Sequence, residues 1–583
     1  MANSASVLPP PVAENARAAF GIPILLGLLT SGLLDFCFPV AGPMKPWQPF
    51  FAWIALVPLL GALLNERSAA HPRYLRRAAL TGYLTGILWY ILNCYWIYQT
   101  MFYYGHVPSL GAAGIVVLYS CVLGLYFGAF GLILAFFRRR FSLTAALILA
   151  PFLWTALELA AARITSVPWD QLGYSEVGSQ WMTQLAPFTG VYGISFALVL
   201  ANAFLLGTWI THDRAATWIK TSISVLSLIL LFFFSRWAPP PPAPTSAYAV
   251  LLQPNIDVEA GDNWSGTQWD GQTSWITHQS TQTCTPAYPG MPPVGNHPTT
   301  PPPTTGVPGA PARPGWSPTC PQNTPPPGIV LWPEVASWFR SDDPRTQSIL
   351  RATATTAHAP FIAGMVGEDA SGIYNSAVFT NPDGSIAGRY DKIHLVPFGE
   401  FVPYRDLFFF ARHLTNQVGD FNRGRARNVF TAPSESGPHK FGVFICYESV
   451  FADEIRHFAL NGAQVLVNLS DDGWYGDTSA PWQHLNMARM RAIENRRWLL
   501  RDTNNGITTI IDPYGRVTFS AQRHNLTSLV ARYGYRSDLT FYTRHGDVFA
   551  WLCCIVCLGA IIFGVARRRT DAHTPSAPAA LHS

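Results

Sequence analysis

The chain has 583 residues, 49% of them hydrophobic and only 13% charged, well below the roughly one quarter of charged residues in soluble domains. The net charge of +5 is small and comes largely from arginines beside apolar runs, so it gives no ground for nucleic-acid binding. The composition excludes an ordinary soluble protein and directs attention to where the apolar residues lie.

Seven N-terminal apolar runs occupy about 21–38, 49–65, 78–99, 110–137, 142–161, 190–211 and 217–235, and an eighth covers about 547–566. A helix needs about 20 apolar residues to cross a bilayer, so the runs read as membrane helices. The first two are marginal in length and admit a tilted or partly re-entrant path. Arg67, Arg73, Arg76 and Arg77 join the second run to the third, and Arg138, Arg139 and Arg140 the fourth to the fifth. Arg214 and Lys220 join the sixth to the seventh, and Arg567, Arg568 and Arg569 follow the eighth. These connectors share one side only if all eight runs span. Both termini are then cytoplasmic, and 237–546 lies on the outer face. The first run lacks a small-residue cleavage site and reads as an anchor. Glu158, near a run end, is the exception to apolar run centres, which argues against a transport path.

The expected organisation is therefore a membrane domain at 1–236, an outer domain at 237–546, a closing membrane helix at 547–566 and a cytoplasmic tail at 567–583. A proline-rich linker opens the outer domain, and YAVLLQPNI reads as its first strand. Residues 265–327 are a low-complexity insertion without a packed core. Its Cys284 and Cys320 leave a structural disulfide open. The other cysteines lie mostly in or beside the membrane runs, and no cysteine or histidine spacing suggests a metal. Beyond the insertion, GIVLWPE, PFIAGMVG, YNSAVFT, FGVFICYE, AQVLVNLS, GITTIID and TSLVARYGY read as strands. Segments 342–357, 449–461 and 483–499 read as helices. This alternation predicts an α/β domain with a layered sheet core.

Ionisable residues stand at several strand ends or turns: Glu334 after IVLWP, Lys392 and Glu400 within DKIHLVPFGE, and Cys446 with Glu448 in ICYES. Each alone fits a packing or surface role. Together they make a set for acyl transfer, in which a cysteine attacks a carbonyl, a glutamate moves the proton and an ammonium stabilises the oxyanion.

WPE, YDKIHLVPFGEFVPYR, ICYES and NLSDDGWYGDTSAPWQHLNMARMRAIENRRWLLRDTNNGIT resemble bacterial apolipoprotein N-acyltransferases over about 20–566. The resemblance implies an eight-helix membrane base carrying an extracytoplasmic α-β-β-α sandwich of the nitrilase superfamily, in the bacterial inner membrane. It implies a triad of Glu334 as base, Lys392 as oxyanion partner and Cys446 as nucleophile, with Glu400, Tyr447 and Glu448 in support. The Tyr447 amide is then a candidate oxyanion donor. Trp264 matches a family tryptophan loosely, because the insertion makes the spacing irregular. The implied reaction moves a fatty acyl chain from a membrane phospholipid through a thioester on Cys446 to the α-amine of a diacylglyceryl-cysteine apolipoprotein. It needs no cofactor, metal or nucleic acid. Apolar loops for lipid contact are expected at Phe408 and Phe409 in RDLFFFARH, and at Trp474 and Tyr475 in DDGWYG. The alternative is a membrane-tethered nitrilase-type amidohydrolase in which water resolves the same thioester.

Overall fold

The computed structural model describes residues 14–210, 240–258, 276–280, 327–334, 339–401, 421–434 and 437–571. The expectations for Trp264, Phe408, Phe409, Cys284, Cys320, the run at 217–235 and most of the insertion lie outside these residues.

Among the described residues, four helices are long and apolar enough to cross a membrane: Ser109–Arg140, Leu143–Thr165, Val191–Trp209 and Val548–Ala566. Gly21–Asp35 and Gln48–Leu64 are shorter apolar helices, and Tyr74–Asn93 adds a helix of 20 residues. The run at 49–65 is not one uniform helix. A 3-10 turn at Gln48–Trp53 precedes the helix Val57–Leu64, with Pro49 and Pro58 in their first turns, where a missing N–H is tolerated. Leu118, Val122, Leu125 and Leu132 are exposed along Ser109–Arg140, as are Leu552, Ile555, Leu558 and Ile562 on the last helix. An apolar outward face of this extent suits lipid rather than water.

The helices pack closely through small residues. A Cβ on Gly82 would run into the Phe127 carbonyl, and one on Gly131 into that of Ala78. Tyr74–Asn93 and Ser109–Arg140 thus meet backbone to backbone, as small-residue membrane interfaces do.

The other half of the chain is a sandwich of two six-stranded sheets. One has the order β12-β1-β2-β3-β4-β5, built from β1 (Ala247–Gln253), β2 (Ile329–Trp332), β3 (Phe361–Asp369), β4 (Gly372–Thr380), β5 (Ile386–Asp391) and β12 (Thr527–Tyr533). The other has the order β11-β10-β9-β8-β7-β6, built from β6 (Val429–Ala432), β7 (His439–Ile445), β8 (Val465–Ser470), β9 (Trp498–Thr503), β10 (Thr509–Ile511) and β11 (Val517–Ser520). β1, β2 and β3 run parallel, as do β7, β8 and β9.

Side-chain alternation sets the layers. Ala249, Leu251, Leu331 and Ile362 share a core with Val443, Val465, Val467 and Leu500 of the facing sheet. Val250, Leu252, Val330 and Phe361 point the other way, to a second core with Leu350, Ala354 and Ala357 of helix Pro344–Ala357. The opposite outer layer holds helices Ala452–Leu460 and Ala480–Asn495, completing an α-β-β-α stack.

Helix Ala480–Asn495 is covered on both sides. Leu485, Ala488 and Ala492 join the sheet core, while Met487, Met490 and Ile493 join the core of the membrane base. This helix stops four residues before the expected end at 499. Arg496 takes a left-handed conformation (φ 50°), and the chain enters β9 at Trp498.

The helix ends separate into two sets. Pro39, Asn93, Thr100, Ser166 and Val191 all contact the sandwich side of the molecule. At the far end, the Leu63 carbonyl accepts the Tyr74 hydroxyl and the Leu64 carbonyl accepts Arg138 Nε, beside the arginine-rich connectors.

Candidate active site

Glu334 follows β2 and Lys392 follows β5 in one sheet, while Cys446 follows β7 in the other. A strand end frees a side chain from the ladder while the sheet fixes its origin, so residues far apart in sequence converge where the sheets meet. Gly364 of β3 makes room, since a Cβ there would collide with the Pro333 carbonyl.

Lys392 is 1% exposed. Its Nζ donates to Glu334 Oε1 and to Glu400 Oε1, each at 3.0 Å. Asn375 Nδ2 donates to the same two oxygens, at 2.7 and 2.6 Å. Two donors and two carboxylates therefore form a closed ring. Glu334 Oε2 accepts the Asp471 N–H at 2.9 Å, and Glu400 Oε2 accepts the Val396 N–H at 2.7 Å. Burial would pull the Lys392 ammonium down, but Glu334 and Glu400 outweigh it and hold the ammonium well above its ordinary value. Lys392 thus remains a cation, with two of its three hydrogens committed.

Cys446 opens a 3-10 turn, Cys446–Val450, in a left-handed conformation with φ 47°. A side chain other than glycine adopts that conformation only when its surroundings hold it there. Burial first, and the Glu334 charge second, push the Cys446 thiol well above its usual range, against the pull of Lys392. Cys446 therefore rests as a thiol, and a proton would have to leave before its sulfur could attack a carbonyl.

Glu448 has no solvent exposure. It accepts the Ile445 N–H at 2.7 Å, the Ile393 N–H at 2.7 Å, the His394 N–H at 3.1 Å and the Tyr390 hydroxyl at 2.8 Å. It fastens the segment after Lys392 to the turn of Cys446.

Tyr447 points away from the ring, and its hydroxyl donates to the Ser166 carbonyl of the membrane base at 3.0 Å. The Trp474 carbonyl accepts the Thr100 hydroxyl at 3.0 Å. Tyr475 is buried among Trp96, Trp169 and His484. Trp474 and Tyr475 therefore belong to the seam between sandwich and base.

The sequence reading missed Asn375, Asp471, Asp472 and His484. The His484 ring lies with Nδ1 3.0 Å from Asp472 Oδ1 and Nε2 3.0 Å from the Cys446 carbonyl oxygen. Arg501 Nη2 donates to both Asp472 oxygens, at 2.9 and 2.7 Å. Asp471, beside Glu334, is pushed up to about 8 by burial and then by the Glu334 charge. Among the described residues, no group of three or more histidines, cysteines and acids is placed to hold a metal.

Residues 324–532 match the family model for carbon-nitrogen hydrolases, and residues 32–204 match that for the apolipoprotein N-acyltransferase N-terminal domain. A Geobacter metallireducens protein named apolipoprotein N-acyltransferase is 30% identical over 563 residues, covering 94% of this chain and 96% of its own. A Chlorobaculum tepidum protein of the same name is 28% identical over 564 residues, covering 91% and 94%. Among solved structures, a carbon-nitrogen hydrolase from Helicobacter pylori is 17% identical, covering 49% of this chain and 88% of its own at a TM-score of 0.32.

Proposed function

The chain belongs to the apolipoprotein N-acyltransferase family, and on that premise we propose that Cys446 carries a fatty acyl chain from a membrane phospholipid to the N-terminal amine of diacylglyceryl-cysteine in apolipoproteins. The observation that carries this reading is the seat of the nucleophile: Tyr447, its chain neighbour, is bonded at 3.0 Å to Ser166 of the membrane base. An amidase acting on dissolved substrates has no use for such a seat.

Glu334 is the base, and hydrogen-bond arithmetic selects its atom. Oε1 already receives Lys392 and Asn375, whereas Oε2 receives only the Asp471 N–H. The remaining lone pair is on Oε2, which takes the Cys446 proton as sulfur attacks the ester carbonyl. The oxyanion is met by the third Lys392 hydrogen and the Tyr447 N–H. The carbon–oxygen bond then breaks, Glu334 returns the proton to the leaving glycerol oxygen, and lysophospholipid departs from the thioester. In the second half, the neutral amine attacks the thioester and gives a proton to Glu334 as the carbon–nitrogen bond forms. The carbon–sulfur bond breaks, and that proton restores the thiol.

Glu400 orients Lys392, and Glu448 keeps Lys392 and Cys446 in register. Trp474 and Tyr475 line the seam through which the acyl chain reaches the site, and Trp264, Phe408 and Phe409 remain proposed lipid contacts. The membrane topology has eight crossings, with both termini cytoplasmic and residues 237–546 on the outer face of the bacterial cytoplasmic membrane. The two sets of helix ends support it, because arginine-rich ends and sandwich-contacting ends alternate along the chain.

The test incubates full-length protein with phospholipid vesicles and seeks an acyl adduct on Cys446 by mass spectrometry. Adding a diacylglyceryl-cysteine peptide should discharge it as N-acylated peptide. Release as free fatty acid alone would favour the amidohydrolase, and an unimpaired Cys446→Ser variant would remove the catalytic reading.

A further inference from the structure

Cys446 and Tyr447 share one peptide unit. Its carbonyl belongs to the nucleophile, and its N–H is the candidate oxyanion donor. A trans peptide is planar, so its C=O and N–H point in opposite directions and turn together. Whatever grips the carbonyl therefore aims the N–H.

The grip comes from His484, which has no solvent exposure and lies 3.0 Å from the Cys446 oxygen through Nε2. A carbonyl oxygen only accepts, so Nε2 carries the hydrogen. Nδ1 faces Arg501 Nη2 at 3.1 Å and Asp472 Oδ1 at 3.0 Å. Nδ1 thus sits between the Asp472 carboxylate and the Arg501 guanidinium, and Asp472 also anchors that guanidinium. The ring is also fixed in its plane, stacked on Trp169 of the membrane base at 6.0 Å and 20°. Trp169 is itself held by its indole N–H to Gln483 Oε1 at 2.9 Å. Every degree of freedom of the imidazole is taken, and the atom left to act is the Nε2 hydrogen.

We propose that His484 is a positioning residue for the oxyanion hole, acting through the Cys446–Tyr447 peptide. Its hydrogen bond fixes the direction of the Tyr447 N–H and polarises it, because a peptide that accepts at oxygen is a better donor at nitrogen. It also holds Cys446 in its left-handed conformation. The proposal rests on the acyltransfer reading with the Tyr447 amide as oxyanion donor.

The test separates attack that forms an oxyanion from attack that does not. Full-length protein with His484→Phe, His484→Asn or His484→Gln is given two reagents. Acyl-adduct formation from vesicles of a dipalmitoyl phospholipid needs the oxyanion hole, whereas alkylation of Cys446 by iodoacetamide does not. Glutamine places a donor near the position of Nε2, and asparagine and phenylalanine do not. Phe and Asn variants should lose roughly 10- to 100-fold in acylation, with alkylation within about 3-fold of wild type, and Gln should restore most of the acylation. If the Phe variant does not fold, the Asn and Gln pair carries the comparison. Equal acylation losses in Asn and Gln, or alkylation falling in step with acylation, would overturn the proposal. A wild-type chain that forms no adduct would instead remove the acyltransfer reading itself, before any His484 variant is compared.

Discussion

The Glu448 carboxylate accepts the backbone N–H of Ile393 at 2.7 Å, and so ties the residue after Lys392 to the turn that carries Cys446. Lys392 and Cys446 come from different sheets, and Glu448 Oε2 also takes the Ile445 N–H just before Cys446. One carboxylate sets the distance between cation and sulfur.

Glu448→Gln keeps the size but turns one acceptor oxygen into a donor facing buried N–H groups. The variant should lose about 2 kcal/mol of stability. Adduct formation should fall about 100-fold, because a small displacement between reacting groups is costly. Thermal unfolding in detergent and adduct kinetics check both. Loss of stability with full catalytic rate would deny Glu448 its positioning role.

Lys392→Met removes the cation from between Glu334 and Glu400. Asn375 alone then bridges two carboxylates. Adduct formation should fall about 1,000-fold or more, through loss of the proposed oxyanion partner. A single-turnover measurement reads the loss, and an unchanged rate would deny Lys392 that role.

Asp472→Asn breaks a fully buried pair with Arg501. Although burial raises it, the Arg501 charge and His484 hold the Asp472 carboxyl below the usual range. A depressed acid stabilises the fold above its unfolded value, near 4, and loses that contribution only as pH falls through the folded value. The wild-type pair is therefore intact throughout pH 5 to 8. The variant should be less stable by about 3 kcal/mol with little pH dependence across that window. Thermal unfolding at pH 5, 6.5 and 8 distinguishes this from a pH-sensitive contact.

The candidates Glu334, Lys392 and Cys446 were legible because ionisable residues interrupt apolar runs there and because the motifs that hold them resemble those of a known family. Glu334, Lys392 and Cys446 each end a strand, and an ionisable group there is conspicuous. Asn375 was hidden for the converse reason. In YNSAVFT it reads as an ordinary polar position of an alternating strand, and only the pairing of β4 between β3 and β5 directs it to the carboxylates. His484, Arg491 and Glu494 resemble the solvated face of an amphipathic helix, yet all three are fully buried because the membrane base packs on that face. β9 was missed because Arg501 and Asp502 are buried within it, so the strand lacks the apolar alternation that marks its neighbours. The helix residues were hidden because they lie where the two halves of the molecule meet, and a sequence pattern read for one half carries no trace of the other.

That seam also has an ionic lock. Arg163 Nη2 lies 2.6 Å from Asp547 Oδ2 and 2.8 Å from Asp453 Oδ2. It joins the end of one membrane helix, the start of the last one and a helix of the sandwich. Asp547 is nearly buried, and burial, then the Asp453 charge, raises its carboxyl while Arg163 opposes them. A raised acid favours the fold fully below its unfolded value, and that contribution is lost as pH rises through the folded value. Arg163→Ala removes the opposing cation, so Asp547 rises further and its ionisation costs more. The variant should therefore match wild type most closely near pH 4 and fall behind it as pH increases to 8. Arg163 is 42% exposed, so solvent screens the pair and the gap at pH 8 should be about 1 kcal/mol. Unfolding temperatures across that range read the widening. A gap that is constant or narrows with pH would place the role of Arg163 in packing rather than in charge.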